Sequence, residues 1–153
     1  MVKGKLICFL LFTSLAFGVQ IEVKALNFYA DENKGENILS GNVELIREND
    51  ILTAEKLVIY TNKNKKPIRY EATQNPKFKI SLKGKTYTGS GDKFIYDAIK
   101  DIYEINGNAN INELGSKQKL FGDKIIVDKK SNIYQVQSKE QKPARFVFEL
   151  EEK

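Results

Sequence analysis

A chain of 153 residues with 25 Lys and Arg, 20 Asp and Glu and no histidine has room for one domain, at a net charge of +5. With no histidine and a single cysteine, Cys8, it cannot build a Ser-His-Asp triad or a His-ligated zinc site. Charges of both signs are interspersed along the chain, which reads as a solvated surface and argues against a nucleic-acid stripe.

The chain opens with MVKGKLICFLLFTSLAFG, two lysines ahead of an apolar run that closes on Ala16-Phe17-Gly18. This is the pattern of a secretory signal peptide over residues 1–18, cleaved near Gly18, with one domain over 19–153. Removing its two lysines takes the net charge to +3, and Cys8 leaves with it, so an oxidising compartment imposes no disulfide. The alternative is an uncleaved membrane anchor.

From Ile21 onward short runs alternate with period two, and β-branched and aromatic residues dominate. An N-terminal strand from about Ile21 to Tyr29 is followed by NVELIR, LTAEKLVIY, IRYEA and FKISLKG. Next come GSGDKFIYD, DIYEINGN, NANINE, LFGDKIIVD, NIYQVQ and the terminal RFVFEL. Turn clusters such as DENKGEN, NKNKKP, TGSGD and KKSN separate them at roughly ten-residue spacing, which predicts an all-β sandwich or barrel-like fold.

Two motifs recur. Gly41-Asn42 and Gly107-Asn108 stand 66 positions apart in similar surroundings and read as one hairpin written twice. Glu55-Lys56, Asp92-Lys93 and Asp123-Lys124 each open an alternating pair: Leu57 and Ile59, Phe94 and Tyr96, Ile125 and Val127. The segment from Val23 to Asn42 also resembles that from Asp92 to Asn108. These copies predict stacked two-strand steps of roughly 30 to 37 residues, none able to bury its own apolar face.

The same alternation puts Val43, Leu45, Phe78, Ile80, Ala109 and Ile111 on one face with those pairs. Such a face is either the filled core of a sandwich or the lining of a groove left open along one side, and periodicity does not separate the two. Both terminal strands leave usable edges, which favours head-to-tail pairing with itself or with relatives of the same fold.

With these motifs laid out, the chain resembles the LptA/OstA family of periplasmic lipopolysaccharide-transport proteins. The resemblance rests on Leu39-Ser40-Gly41-Asn42-Val43, Ala54-Glu55-Lys56-Leu57, Gly91-Asp92-Lys93-Phe94, Ile105-Asn106-Gly107-Asn108 and Gly122-Asp123-Lys124-Ile125, in that order. It implies an antiparallel two-sheet β-jellyroll, open in a V, without enzymatic activity, cofactor or metal. It also implies a periplasmic location and lipid A bound between the sheets. Head-to-tail homo-oligomers and jellyroll partners in the inner membrane (LptC-like) and outer membrane (LptD-like) would follow.

Carried over by position, the lining would run from Ile21 at the N-terminal opening through Phe78, Phe94, Tyr96 and Ala98. Val43, Leu45, Leu57 and Ile59 would flank it, and Ile80, Ile111, Ile125 and Val127 share the inward face. The chain departs from the family in its short C-terminal portion and its Lys-rich segment from Asn62 to Pro76.

Three other readings stay open at this stage: an LptC-like anchored subunit, a β-repeat scaffold without cargo, and a carboxylate glycosidase using acids such as Glu71 and Asp97. Lysines 77, 79, 83 and 85 read as a solvated face rather than phosphate ligands.

Overall fold

The computed structural model describes residues 20–139 and 141–149; the expected signal segment lies outside them. Twelve antiparallel strands follow one another in the described residues. They are β1 (Ile21–Lys24), β2 (Asn27–Asp31), β3 (Glu36–Arg47), β4 (Asp50–Thr61), β5 (Pro67–Thr73) and β6 (Lys77–Leu82). Then come β7 (Lys85–Ser90), β8 (Lys93–Asp97), β9 (Ile102–Glu113), β10 (Lys119–Asp128), β11 (Ile133–Gln137) and β12 (Arg145–Val147).

Four strands, β3, β4, β9 and β10, are long enough to bend and serve two sheets. One set of halves makes the order β2-β3-β4-β5-β8-β9-β10-β11, and the other makes β1-β3-β4-β6-β7-β9-β10-β12. The bends line up along a common spine where the two sheets join.

Each bend is a β-bulge with two residues facing one. Ser40 pairs with Lys56 and Val43 with Ala54, so Gly41 and Asn42 stand against Glu55. Gly107 and Asn108 stand against Asp123 in the same way, between the Lys124–Asn106 and Gly122–Ala109 pairs. All four residues of the two pairs have positive φ (82°, 47°, 75° and 46°), which glycine and asparagine adopt at least cost.

The acids complete the corners. Asn42 donates its backbone N–H to Glu55 (3.3 Å), and the Asn108 amide donates to Asp92 (3.3 Å). The Gly-Asn pair is therefore no hairpin: the strand runs on through it, and the two recurring motifs are opposite sides of one corner.

The repeat is also longer than the motif spacing implies. β1 to β6 and β7 to β12 are two copies of one six-strand unit, with β2 and β3 lying 66 residues before β8 and β9. Glu55-Lys56 and Asp123-Lys124 are true counterparts inside β4 and β10, whereas Asp92-Lys93 opens β8. All three look alike because each chain segment passes the same spine with an acid at the bend and an apolar alternation after it.

The core sits between the sheets. Leu39, Leu57, Ile59, Ala72, Ile105, Ala109 and Ile125 are buried, and no polar or charged side chain among the described residues is fully buried. Outside, ion pairs cross the strands: Lys93 to Glu71 at 2.7 Å and Lys124 to Glu104 at 2.9 Å. Burial alone would raise both carboxyls. Hydrogen bonds from Lys93 and Tyr60 to Glu71, and from Lys124 and Asn106 to Glu104, outweigh it and hold them below the usual carboxylate range.

Folded values below the unfolded ones mean the unfolded chain binds more protons in acid. Their contribution is present above the ordinary glutamate pKa of about 4.3 and is lost as pH falls through the depressed folded values. Thermal unfolding should accordingly show a steeper loss of Tm on acidification for the wild type than for a Glu71→Gln, Glu104→Gln variant.

Candidate functional site

Between the sheets the structure leaves two cavities separated by aromatic rings. The larger, of about 350 Å3, lies in the C-terminal half under β6, β7, β9 and β10 and reaches the edge at Tyr134, Phe146 and Phe148. The smaller, of about 80 Å3, lies toward the N-terminus between Ile21, Leu45, Leu52 and Tyr70. Phe78, Ile80, Phe94 and Tyr103 border both.

That shared wall is a waist of rings drawn from the two sheets. Phe78 comes from β6 and meets Phe94 of β8 at 5.2 Å between centroids; Phe94 meets Tyr103 at 5.9 Å. Tyr96 and Tyr103 stack at 4.4 Å, and Tyr70 closes on Tyr96 at 5.9 Å. Gly89, opposite Phe78 in the β6–β7 ladder, makes room for this: a Cβ there would fall 2.2 Å from the Phe78 ring.

Burial drives the phenols upward, that of Tyr70 to about 12, so they stay neutral at any physiological pH. Tyr96 is raised by burial and by its hydrogen bond to Asp101 (2.9 Å). Arg47, at the mouth of the smaller cavity, pulls all three back with its charge.

The expected lining residues divide into three groups. Phe78, Ile80, Phe94, Ile111, Ile125 and Val127 border the larger cavity. Ile21, Leu45 and Tyr96 border the smaller one, and Ile59 borders a third space of about 260 Å3 at the N-terminal edge. Val43, Leu57 and Ala98 border none of the three: Val43 and Leu57 are buried and Ala98 packs against the same core.

Sequence reasoning missed Tyr103, Ile105 and Tyr87, which border the larger cavity, and Tyr70, which helps form the waist. Extending the alternation of Ala109 and Ile111 back through Gly107 would have found Tyr103 and Ile105, because a two-residue bulge preserves the odd-even count.

Glu71 and Asp97 border none of these cavities. Glu71 is held by Lys93, and Asp97 accepts the backbone N–H groups of Ile99 and Lys100 in its own turn. Among the described residues no cluster of His, Cys, Asp or Glu could hold a metal ion.

Among curated protein sequences none matches the chain. Among solved structures the chain is similar to LptH, the LptA homologous periplasmic component of the lipopolysaccharide transport device from Pseudomonas aeruginosa. The TM-score is 0.72 at 16% identity, over 85% of this chain and 95% of that one. That likeness supports the open jellyroll architecture. The family model described as "LptA/(LptD N-terminal domain) LPS transport protein" matches residues 22–133, and the chain therefore belongs to this family of transport proteins rather than enzymes.

Proposed function

We propose that the protein is a periplasmic bridge component that carries lipopolysaccharide from the inner to the outer membrane, its acyl chains seated between the sheets. The observation that carries this reading is the larger cavity, walled mainly by aliphatic and aromatic side chains, with Glu113, Gln118 and Lys119 also on its lining, and reaching the C-terminal edge. Each methylene transferred into such a space gains about 0.8 kcal/mol, while a charged, sugar-bearing head stays in water.

End-to-end assembly extends the same reading. Tyr134, Phe146 and Phe148 lie exposed at the C-terminal edge, and Leu26 and Tyr29 at the N-terminal one. LptC-like and LptD-like jellyrolls would meet those edges by strand addition.

The test is photocrosslinking in cells from a probe at Phe94, which is buried between the sheets, against one at Lys93, which faces outward toward Glu71. Lipopolysaccharide adducts at Phe94 alone are the expected result. A folded, exported protein silent at both positions would sink the carrier reading and leave a scaffold, which the ring-filled waist also suits.

A further inference from the structure

The sheets part on the side away from the spine. There the turns 32–35, 62–66, 98–101 and 129–132 end one sheet, and 48–49, 83–84 and 114–118 end the other. Because the two six-strand units are built alike, their rims can be compared position by position. Asp31 closes β2 opposite Glu36 and accepts the backbone N–H groups of Asn33 and Lys34. Asp97 closes β8 opposite Ile102 and accepts those of Ile99 and Lys100. The next residue differs: it is Glu32 in the first unit and Ala98 in the second.

That one acid sets the charge of the rim. In the first unit Glu32 binds Lys65 of the adjoining turn at 3.2 Å. In the second, Lys129 of the adjoining turn lies over the Tyr103 ring, 5.6 Å from its centroid, and Lys130 donates to the Ile99 carbonyl at 3.1 Å. Lys83 reaches across from the opposite rim and donates to the Asn132 side chain at 3.3 Å. Among the described residues none of these three ammonium groups is ion-paired. The nearby acids are engaged elsewhere: Asp97 in its own turn, Asp101 with the Tyr96 hydroxyl and Asp128 with the Ser131 N–H.

This rim lies over the larger cavity. Leu82, beside Lys83, and Tyr103, beneath Lys129, both line the 350 Å3 space. Of the charged residues on the same lining, Glu113 is matched by Lys85 at 3.2 Å, which leaves Lys119 as a further cation. The half that holds the large apolar space is therefore the half whose rim cations lack acids.

We propose that Lys83, Lys129 and Lys130 hold a phosphate group on the head of the lipid whose acyl chains enter the larger cavity. Ammonium groups arriving from turns of opposite sheets suit a tetrahedral anion with several acceptor oxygens. A flat carboxylate is better met by the planar fork of arginine, and the three cations here are all lysines. Their present partners are an amide oxygen, a carbonyl and a ring face, so an anion can replace them without breaking an ion pair. The Lys83–Asn132 bond ties the two rims across the opening, and the head takes its place there. Lys83 thus parts company with Lys77 and Lys79, which point outward along β6. The inference rests on the carrier reading and adds which part of the lipid is recognised, and over which half of the chain.

The test compares binding of lipid A and of dephosphorylated lipid A in one detergent. Wild type should bind lipid A roughly ten-fold more tightly than the dephosphorylated form. A Lys83→Gln, Lys129→Gln, Lys130→Gln variant should lose that preference and bind the dephosphorylated lipid as wild type does, which also reports that it is folded. Ala98→Glu, which gives the second rim the acid of the first, should weaken the preference too. A Lys77→Gln, Lys79→Gln variant should retain it.

Equal wild-type affinity for the two lipids, or a preference that survives the triple substitution, would overturn the phosphate site and leave the carrier reading standing. Loss of the preference in the Lys77, Lys79 variant would overturn it as well, by making it an effect of net charge. Inorganic phosphate alone binding as tightly as lipid A would give the lysines to the free ion instead. A wild type that binds neither lipid overturns the carrier reading, and the phosphate site with it. The wild-type comparison does not depend on any variant folding.

Discussion

Replacing Gly107 with alanine should cost about 2–5 kcal/mol of folding stability, read as a lowered urea midpoint at unchanged slope. Two effects add. Gly107 has φ +75°, where a Cβ costs about 1–2 kcal/mol. The new carbon would also fall 2.2 Å from Asp92 Oδ2 and 2.9 Å from Asp92 Cβ, a clash that rotating the carboxylate does not relieve.

The parts can be separated. In an Asp92→Gly background the clash is gone, and Gly107→Ala should cost only the conformational part. Equal costs in both backgrounds would show that Asp92 does not pack against Gly107.

Phe94→Ala should lower stability by about 3–5 kcal/mol, the usual range for a buried ring, and should change what the interior can hold. Phe94 is 6% exposed, touches Phe78 and Tyr103, and borders both interior cavities, so its loss joins the 350 Å3 and 80 Å3 spaces. The folded variant should take up an apolar fluorescent probe more readily than wild type. Destabilisation without gained uptake would mean that neighbouring rings collapse into the gap.

Much of the fold was legible in the residues because strand alternation and burial coincide here. Leu57, Phe94 and Ile125 were aligned from the acid-Lys motif alone, and all three are buried between the sheets. The true repeat was harder to see. Register correspondence drifts from 66 residues at β2 and β3 to 68 at β4, since Ile46 pairs with Ile51, five positions on, whereas its counterpart Asn112 pairs with Lys119, seven positions on.

The candidate site was only half legible for a different reason. Alternation says which face a side chain takes but not whether rings from opposite sheets meet, and that distinction sets Phe78 and Tyr96 at a waist and Leu57 in packed core. Tyr70 was hidden because Ile68, Tyr70 and Ala72 alternate in a strand with no motif attached.

The corners also dictate where this chain can change length. A residue deleted at Asn42 or added beside Glu55 would break the two-against-one count, turning every side chain in half a strand from the inside to the outside of its sheet. Turns between strands carry no such parity, as the two units demonstrate by joining equivalent strands with 48–49 in one case and 114–118 in the other. Epitope tags, fluorophore sites and natural insertions therefore belong in the exposed turn 114–118, away from Gly115 with its φ of +79°, and not along the spine.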